Sequence, residues 1–402
     1  MKWAILLGSP DISGGTYVIF EHVIRAKRRG IEIYMITEHP ISEHSLDWHP
    51  EARELNWTTF SACQDKNFDI AFATWWRTVY ELYRVKAENY AYFVQSIESK
   101  FYPEQEQALR KLVDATYMLP LKIITEAHWI QEYLKSEYDK ESYLVLNGIR
   151  KDIYYRDGEV HASRESGRLR VLIEGPLGVP FKNVEKTIHL CKQSNADELW
   201  LLTSSPLTSY SGIHRVFSRI PIHDTPKVYR SCDVIVKLSY VEGMFGPPLE
   251  MFHCGGTSIT YNVTGYDEYI RDDINGIVIN RDDEEQVVDA INRLKHDKER
   301  LAHLKAGAFE TAKGWPDWSS SSLEFEKAVF QIVQQNDKCT QIILEKKSKF
   351  FLDFYILADK QRNMNENKVW NILKRVLDYR FPRIYKCLRD IKWKIKVAFC
   401  RF

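Results

Sequence analysis

Residues 238–256 read Leu-Ser-Tyr-Val-Glu-Gly-Met-Phe-Gly-Pro-Pro-Leu-Glu-Met-Phe-His-Cys-Gly-Gly, with two carboxylates, Glu242 and Glu250, eight positions apart. A carboxylate accepts hydrogen bonds from hydroxyls, so a ribose or hexose diol suits such a group. An apolar run ends at Leu238 and a glycine-containing loop follows. Pro247 and Pro248 then preset a helix start, because proline suits the first helical turn. Backbone N–H groups at a helix start favour an anion such as a diphosphate. Gly243 and Gly246 let the backbone approach a ligand with no Cβ in the way. Two glutamates eight apart recur by chance; their setting between strand, glycine loop, Pro-Pro and helix is what restricts the reading.

These residues need a scaffold, and the chain supplies an alternation of strand and helix. Trp3–Leu7 is a short apolar strand running into Gly8-Ser-Pro-Asp-Ile-Ser-Gly-Gly15. Val18, Ile19, His22, Val23, Ile24 and Ala26 then recur at helical steps, and Ile31–Thr37 reads as another strand. This is a βαβ unit, the building block of parallel sheets. Further strands are predicted at 69–74, 91–95, 122–125 and 143–147. Residues 156–167 are polar and aperiodic and read as a linker. A second series is predicted at 170–174, 199–203, 234–238, 258–261 and 276–280. The expectation is an α/β protein with two Rossmann-like domains facing a cleft, ligands sitting at the carboxyl ends of the strands. The divisions expected are 1–160, 168–318, a returning helix at 319–340, and a basic helical tail at 341–402.

Composition narrows the class. The 402 residues are 44% hydrophobic and 28% charged, which excludes bulk disorder, and 56 Lys+Arg against 55 Asp+Glu excludes a protein that is basic overall. The apolar run at Trp3–Leu7 is too short for a signal-peptide core, and no charge-free stretch is long enough to span a bilayer. A cytoplasmic protein is expected. The seven cysteines are widely spaced without C-x-x-C, so neither a disulfide framework nor a zinc site is indicated. Residues 374–402 carry ten Lys/Arg and two acids, interleaved with Tyr379, Phe381, Tyr385, Trp393 and Phe399. That composition suits a basic interfacial helix on anionic lipid, or a helix packed on its own protein with a solvated basic face. Confinement of the basicity to this tail speaks against nucleic acid.

The run Glu242-x7-Glu250, with Gly246-Pro-Pro-Leu-Glu250 and Gly255-Gly256, resembles the donor-site signature of retaining glycosyltransferases of family 4, which have the glycosyltransferase-B fold. The resemblance extends over roughly residues 1–335, through Gly14-Gly15, Thr125-Glu-Ala-His-Trp-Ile130, Asn147-Gly-Ile-Arg150, Lys182-Asn183 and Trp315-Pro-Asp-Trp-Ser319. Tyr92–Gln95 with Glu98, Phe101, Tyr102 and Pro103 also resembles bacterial rhamnosyltransferases of surface-polysaccharide assembly. The resemblance implies that Glu250 holds the ribose of a nucleotide, Glu242 the donor sugar and Lys182 the diphosphate. It implies that the loop amides of Met244, Phe245 and Gly246, beside Gly243, contact sugar and phosphate. Gly14 and Gly15 would approach from the other domain. Glu242 and Lys182 are the candidate catalytic residues. The implied reaction is retaining and metal-independent, with a nucleotide diphosphate sugar as substrate and no cofactor. The basic aromatic tail at 374–402 points to a lipid-linked glycan as acceptor, met at the inner face of the membrane. No Asp-x-Asp is present.

Two departures matter. Gly175-Pro-Leu-Gly-Val-Pro180 stands where the family usually has an arginine after the glycine, so Arg230 or another cation would have to assist Lys182. Gln95-Ser-Ile-Glu98 stands where a histidine is common; His22 and His128 read as structural, and no catalytic base is assigned. Trp75-Trp76-Arg77 suits either stacking on an acceptor sugar or a buried aromatic cluster. Three other readings compete: a nucleotide-sugar 2-epimerase of the same fold, an inactive membrane-attached scaffold, and a dinucleotide oxidoreductase. The absence of G-x-G-x-x-G after the first strand opposes the last.

Overall fold

A computed structural model of the chain describes residues 1–366, apart from 166 and 337, together with residue 380. Most of the basic tail read at 374–402 therefore lies outside the described residues. The first sheet is built from β1 (Lys2–Leu6), β2 (Glu32–Thr37), β3 (Asn56–Thr59), β4 (Asn67–Ala73), β5 (Lys86–Val94), β6 (Lys122–Thr125) and β7 (Ser142–Leu144). Helices α1 (Gly14–Arg28), α2 (Trp76–Val79), α3 (Gln107–Ala115) and α4 (His128–Tyr138) lie between its strands. The second sheet is built from β8 (Arg170–Glu174), β9 (Glu198–Thr203), β10 (Arg215–Ser218), β11 (Val234–Lys237), β12 (Thr257–Tyr261) and β13 (Ile277–Ile279). Its helices are α5 (Val184–Gln193), α6 (Thr225–Ser231), α7 (Gly246–His253), α8 (Glu284–His296) and α9 (Lys298–Gly314). Two more, α10 (Trp318–Gln334) and α11 (Gln341–Glu366), follow.

Strand order is β3-β2-β1-β4-β5-β6-β7 in the first sheet and β10-β9-β8-β11-β12-β13 in the second. Every pairing is parallel. This is the two-domain α/β architecture of the glycosyltransferase-B fold. In each sheet the order reverses once, between β1 and β4 and between β8 and β11, and the carboxyl ends at that reversal open a crevice. Central strands such as β1 (Trp3, Ala4, Ile5, Leu6) and β11 (Val234, Ile235, Val236) are buried throughout, which is why they read as short apolar runs. The two strands not anticipated, β3 and β10, are the four-residue edges of their sheets and are only half-buried. Asn56-Trp-Thr-Thr59 and Arg215-Val-Phe-Ser218 mix polar with apolar residues and leave no apolar run to find, whereas the opposite edges β7 and β13 keep one.

Helix α1 shows how local chemistry sets an element. Ser13 caps it by accepting from the Thr16 amide, and Arg25, Lys27 and Arg28 in the last turn complement the helix dipole. Its Phe20, Val23 and Ile24 are buried, and α10 covers it. From α10, Trp318, Phe325, Val329 and Ile332 enter the same core as Trp3, Phe72 and Phe93 of the first sheet. Truncating a ring such as Phe325 there costs about 3–5 kcal/mol. The chain crosses between the sheets twice, and the crossings are zipped together by Ile149 N–H on Pro316 O (3.1 Å) and Trp318 N–H on Ile149 O (3.3 Å). Residues 156–165 form no helix or strand, yet they are not loose: Arg164 donates to the carbonyls of Cys232, Cys254 and Gly255. Helix α11 packs Leu344, Phe351 and Tyr355 against the first sheet's core and leaves Phe350, Phe354 and Leu357 exposed. No helix among the described residues is long and apolar enough to cross a membrane.

Candidate functional site

At the reversal of the second sheet, β8 and β11 run side by side with Val236 opposite Ile173, so the next residues, Lys237 and Glu174, leave the sheet together. Lys237 Nζ lies 2.5 Å from Glu174 Oε2 and 3.8 Å from Glu242 Oε1; Lys182 Nζ lies 2.7 Å from Glu242 Oε2. Four charges thus alternate in sign within one crevice. Lys237 is 3% exposed, and breaking a buried pair by removing one partner costs roughly 3–5 kcal/mol, so each charge here requires its neighbour. Burial alone would raise the Glu242 carboxyl, but Lys182 and Lys237 outweigh it and hold the group below the usual range. Burial would likewise lower Lys237, and Glu174 and Glu242 hold it above. Both groups are therefore charged at neutral pH.

Local structure explains the positions. Gly175 turns the chain away from β8 at φ +136°, a conformation that suits glycine, and Lys237 Nζ stands 3.7 Å from where its Cβ would be. Lys182 ends a short helical turn, and the next residue, Asn183, donates its side-chain amide to Leu238 O (2.9 Å), tying that turn to the end of β11. Helix α7 begins at Gly246, where the two prolines predict it. The same prolines leave its first turn short of hydrogen-bond donors. Pro247 and Pro248 have no N–H, the Gly246 N–H is engaged by Met244 O (2.9 Å), and the Met244 N–H by Glu126 Oε1 (3.0 Å). The Met244 and Phe245 side chains belong to the core, and Phe245 O accepts from the Tyr269 hydroxyl.

Glu250 lies half-buried on α7, with Tyr229, Tyr154 and Tyr17 near its carboxyl. Burial pushes it up to about 7, and the nearby Tyr229 and Tyr154 hydroxyls pull it down. It senses Glu174 and Lys237, so it borders the charged crevice. Gly14 and Gly15 open α1 in the facing domain; a Cβ on Gly15 would stand 3.3 Å from the Gln95 side chain. On the other side of Gln95, a Cβ on Gly243 would stand 1.9 Å from Gln95 O. Only a glycine fits there. Gly15, Gln95 and Gly243 therefore line up across the cleft.

Other candidates fall elsewhere. Arg230 does not stand in for the absent arginine: its guanidinium donates to the carbonyls of Glu159, Ile153 and Tyr155 and stacks over the Tyr155 ring, fastening the interdomain segment. Trp76 is buried, Trp75 lies against Gly8, and Arg77 stacks over both rings. The Trp76 N–H donates to Glu98 (2.7 Å), a carboxyl that burial pushes up to about 7. His22 stacks on Phe325 (4.5 Å between centroids), and burial pushes it down to about 3. His128 pairs with Glu268 (2.8 Å). Among the described residues, no three His, Cys, Asp or Glu side chains are grouped to hold a metal.

Sequence reasoning passed over Lys237, Glu174 and Glu126. All three share one signal: a charge at or beside the carboxyl end of an apolar strand run, as in Val-Ile-Val-Lys237, Val-Leu-Ile-Glu174 and Ile-Ile-Thr-Glu126. In a parallel sheet that is the end where ligands sit. Tyr154 and Tyr229 left no comparable signal.

Residues 209–311 match the family model described as glycosyl transferases group 1, which spans β11, the 238–246 loop and α7. A curated relative, D-inositol 3-phosphate glycosyltransferase of Stackebrandtia nassauensis, is 30% identical over 113 residues, 28% of this chain. The chain spans about a quarter of that relative's length (25%). Similar solved structures include HepE of Anabaena in complex with UDP and glucose (TM-score 0.64, 13% identity, 82% of this chain and 100% of that one). Sucrose-phosphate synthase of Thermosynechococcus elongatus is also similar (0.65, 17%, 83% and 99%). So is WaaG, a glycosyltransferase of lipopolysaccharide biosynthesis (0.62, 14%, 83% and 100%). At such identities these structures establish a shared fold.

Proposed function

We propose that this chain is a retaining, metal-independent glycosyltransferase that moves a sugar from a nucleotide diphosphate sugar to a bacterial surface glycan. The observation that carries the reading is the convergence of Lys182, Lys237, Glu174, Glu242 and Glu250 at the β8/β11 crevice, facing Gly15 and Gln95. Glu250 takes the ribose hydroxyls. Glu242 takes hydroxyls of the donor sugar and in doing so releases Lys182 to the diphosphate. Lys237 supplies the second cation where the arginine after Gly175 is absent. In the transfer step the bond from the anomeric carbon to the diphosphate oxygen breaks and a bond to the acceptor oxygen forms on the same face. The acceptor's proton passes to the departing diphosphate, whose growing charge the two lysines stabilise. UDP-binding neighbours of the same fold support a nucleotide-sugar donor.

The acceptor is proposed to be lipid-linked and met at the cytoplasmic membrane face. The exposed Phe350, Phe354 and Leu357 of α11 and the basic composition of 374–402 support this. Liposome co-sedimentation tests it: loss of binding to anionic vesicles when the chain ends at residue 340 supports the surface contact, and unchanged or absent binding removes it.

The donor site is tested by thermal shift of the wild type and Glu250→Ala against UDP, GDP, dTDP, CMP and NAD. A ligand at about 100 times its Kd stabilises by about 2.7 kcal/mol. One nucleoside diphosphate stabilising the wild type and not Glu250→Ala supports the reading; no nucleotide acting on the wild type defeats it. Product analysis then separates transfer from epimerisation, since an epimerase releases a free product without any acceptor.

A further inference from the structure

The 242–246 loop belongs to the second sheet, yet the first sheet holds it. Ser96 Oγ reaches Glu242 O (3.4 Å), Trp129 Nε1 donates to Gly243 O (2.9 Å), and Glu126 Oε1 accepts the Met244 N–H (3.0 Å). Three successive loop residues are thus bonded to two segments across the cleft, the residues after β5 and the β6–α4 junction, with Gly243 pressed on Gln95 O. Glu126 is the buried anchor of the set. It follows β6 directly, is 4% exposed, and is held on its far side by the Asn147 amide (2.8 Å on Oε2). Asn147 is buried too, and its carbonyl accepts from Trp315 Nε1 (2.8 Å), beside the two interdomain crossings. An adjoining contact repeats the pattern: α4 has no side-chain cap of its own, and Glu268 of the second domain accepts from its His128 and Trp129 amides.

We propose that Glu126 is a positioning residue for the donor site: it fastens the 242–246 loop through the Met244 amide, so that the loop takes its ligand-binding shape only with the two domains closed. The inference rests on the donor-site reading above and goes beyond it, because it makes the first domain part of nucleotide binding without touching the nucleotide. Glu126 keeps the Asn147 amide of its own domain in either arrangement, but it holds the Met244 amide of the second domain only when the two are closed. Its oxygens are divided accordingly, one to the moving loop and one to the crossing point.

The test measures binding of whichever of UDP, GDP or dTDP stabilises the full-length wild type, together with hydrogen exchange at the Met244 amide. Glu126→Leu removes the acceptor and is expected to raise the Kd about tenfold or more. The same variant should speed Met244 exchange about a hundredfold. Glu126→Gln keeps one carbonyl oxygen for the amide and is expected to return the Kd to within about threefold of wild type. A merely structural role would lower Tm in both variants without that rescue. Should Glu126→Leu fail to fold, Trp129→Phe, which deletes the neighbouring bond to Gly243 O, carries the same expectation of a weakened Kd. An unchanged Kd in Glu126→Leu or in Trp129→Phe, with or without faster exchange, overturns the proposal. A wild type that binds none of the three overturns the donor-site reading itself, and that result is visible before any variant is made.

Discussion

The two sheets share one strand arrangement around their reversals, yet the crevices there are lined by opposite chemistries. Between β8 and β11 stand Glu174, Lys237, Glu242 and Lys182, four charges in contact. Between β1 and β4 the neighbours are packed or amide-like: Thr74 Oγ1 donates to Leu6 O, Trp75 lies against Gly8, and the Gln95 amide reaches Thr74 O. Topology therefore places a crevice and says nothing of what enters it; the residues that end each strand decide that. One side is a chain of ion pairs. The other is built to present shape, and to hold its partner's loop.

The largest loss is expected on the charged side. Lys182→Ala is expected to lower kcat/KM for sugar transfer by about 10²–10³-fold, the effect of removing one group that stabilises transition-state charge. A comparable loss of nucleotide binding from Trp75→Ala would break the comparison. Lys237→Met sharpens it: nucleoside diphosphate affinity should fall about tenfold or more while the monophosphate is little affected, as titration calorimetry would read. Equal weakening of both would make Lys237 only a partner for Glu174.

Next in size is the pH dependence set by Glu250. Its carboxyl sits near 7, and ribose hydroxyls donate best to the ionised form, so affinity should rise about tenfold from about pH 6 to about pH 8. Glu250→Gln should flatten that slope. The smallest effect belongs to the packed side. Glu98 is raised to about 7 by burial in the folded chain, so it is protonated more readily there than when unfolded. Its stabilisation is full below the unfolded carboxylate range and is lost as pH rises through about 7. Wild-type Tm should therefore gain about 2–4 °C on acidification from about pH 8 to about pH 6 relative to Glu98→Gln. Scanning calorimetry without ligand measures this.

The central strands could be read from the sequence because burial on both faces demands an unbroken apolar run; β1, β6 and β8 were read nearly residue for residue. The edges β3 and β10 obey no such demand. In the site, Glu242 and Lys182 could be proposed from motif and loop context, and they do meet. Arg230 was a poor substitute because its charge says nothing about direction: it points to carbonyls of the interdomain segment. Lys237 and Glu174 carried a readable signal, a charge at a strand's carboxyl end, but one without meaning until the two strands are known to be neighbours.

What the sequence determined by itself was local: which segments are strands and helices, where α7 starts, and which residue types could grip a sugar, a ribose or a phosphate. Tertiary structure alone decided the pairings. It set Lys237 between Glu174 and Glu242, and it brought Glu126 from one domain to the Met244 amide of the other, 118 residues away. The reason is physical. Propensity and periodicity act over a few residues, whereas a buried charge or a backbone N–H must find a partner wherever packing leaves one, and packing is a property of the whole chain.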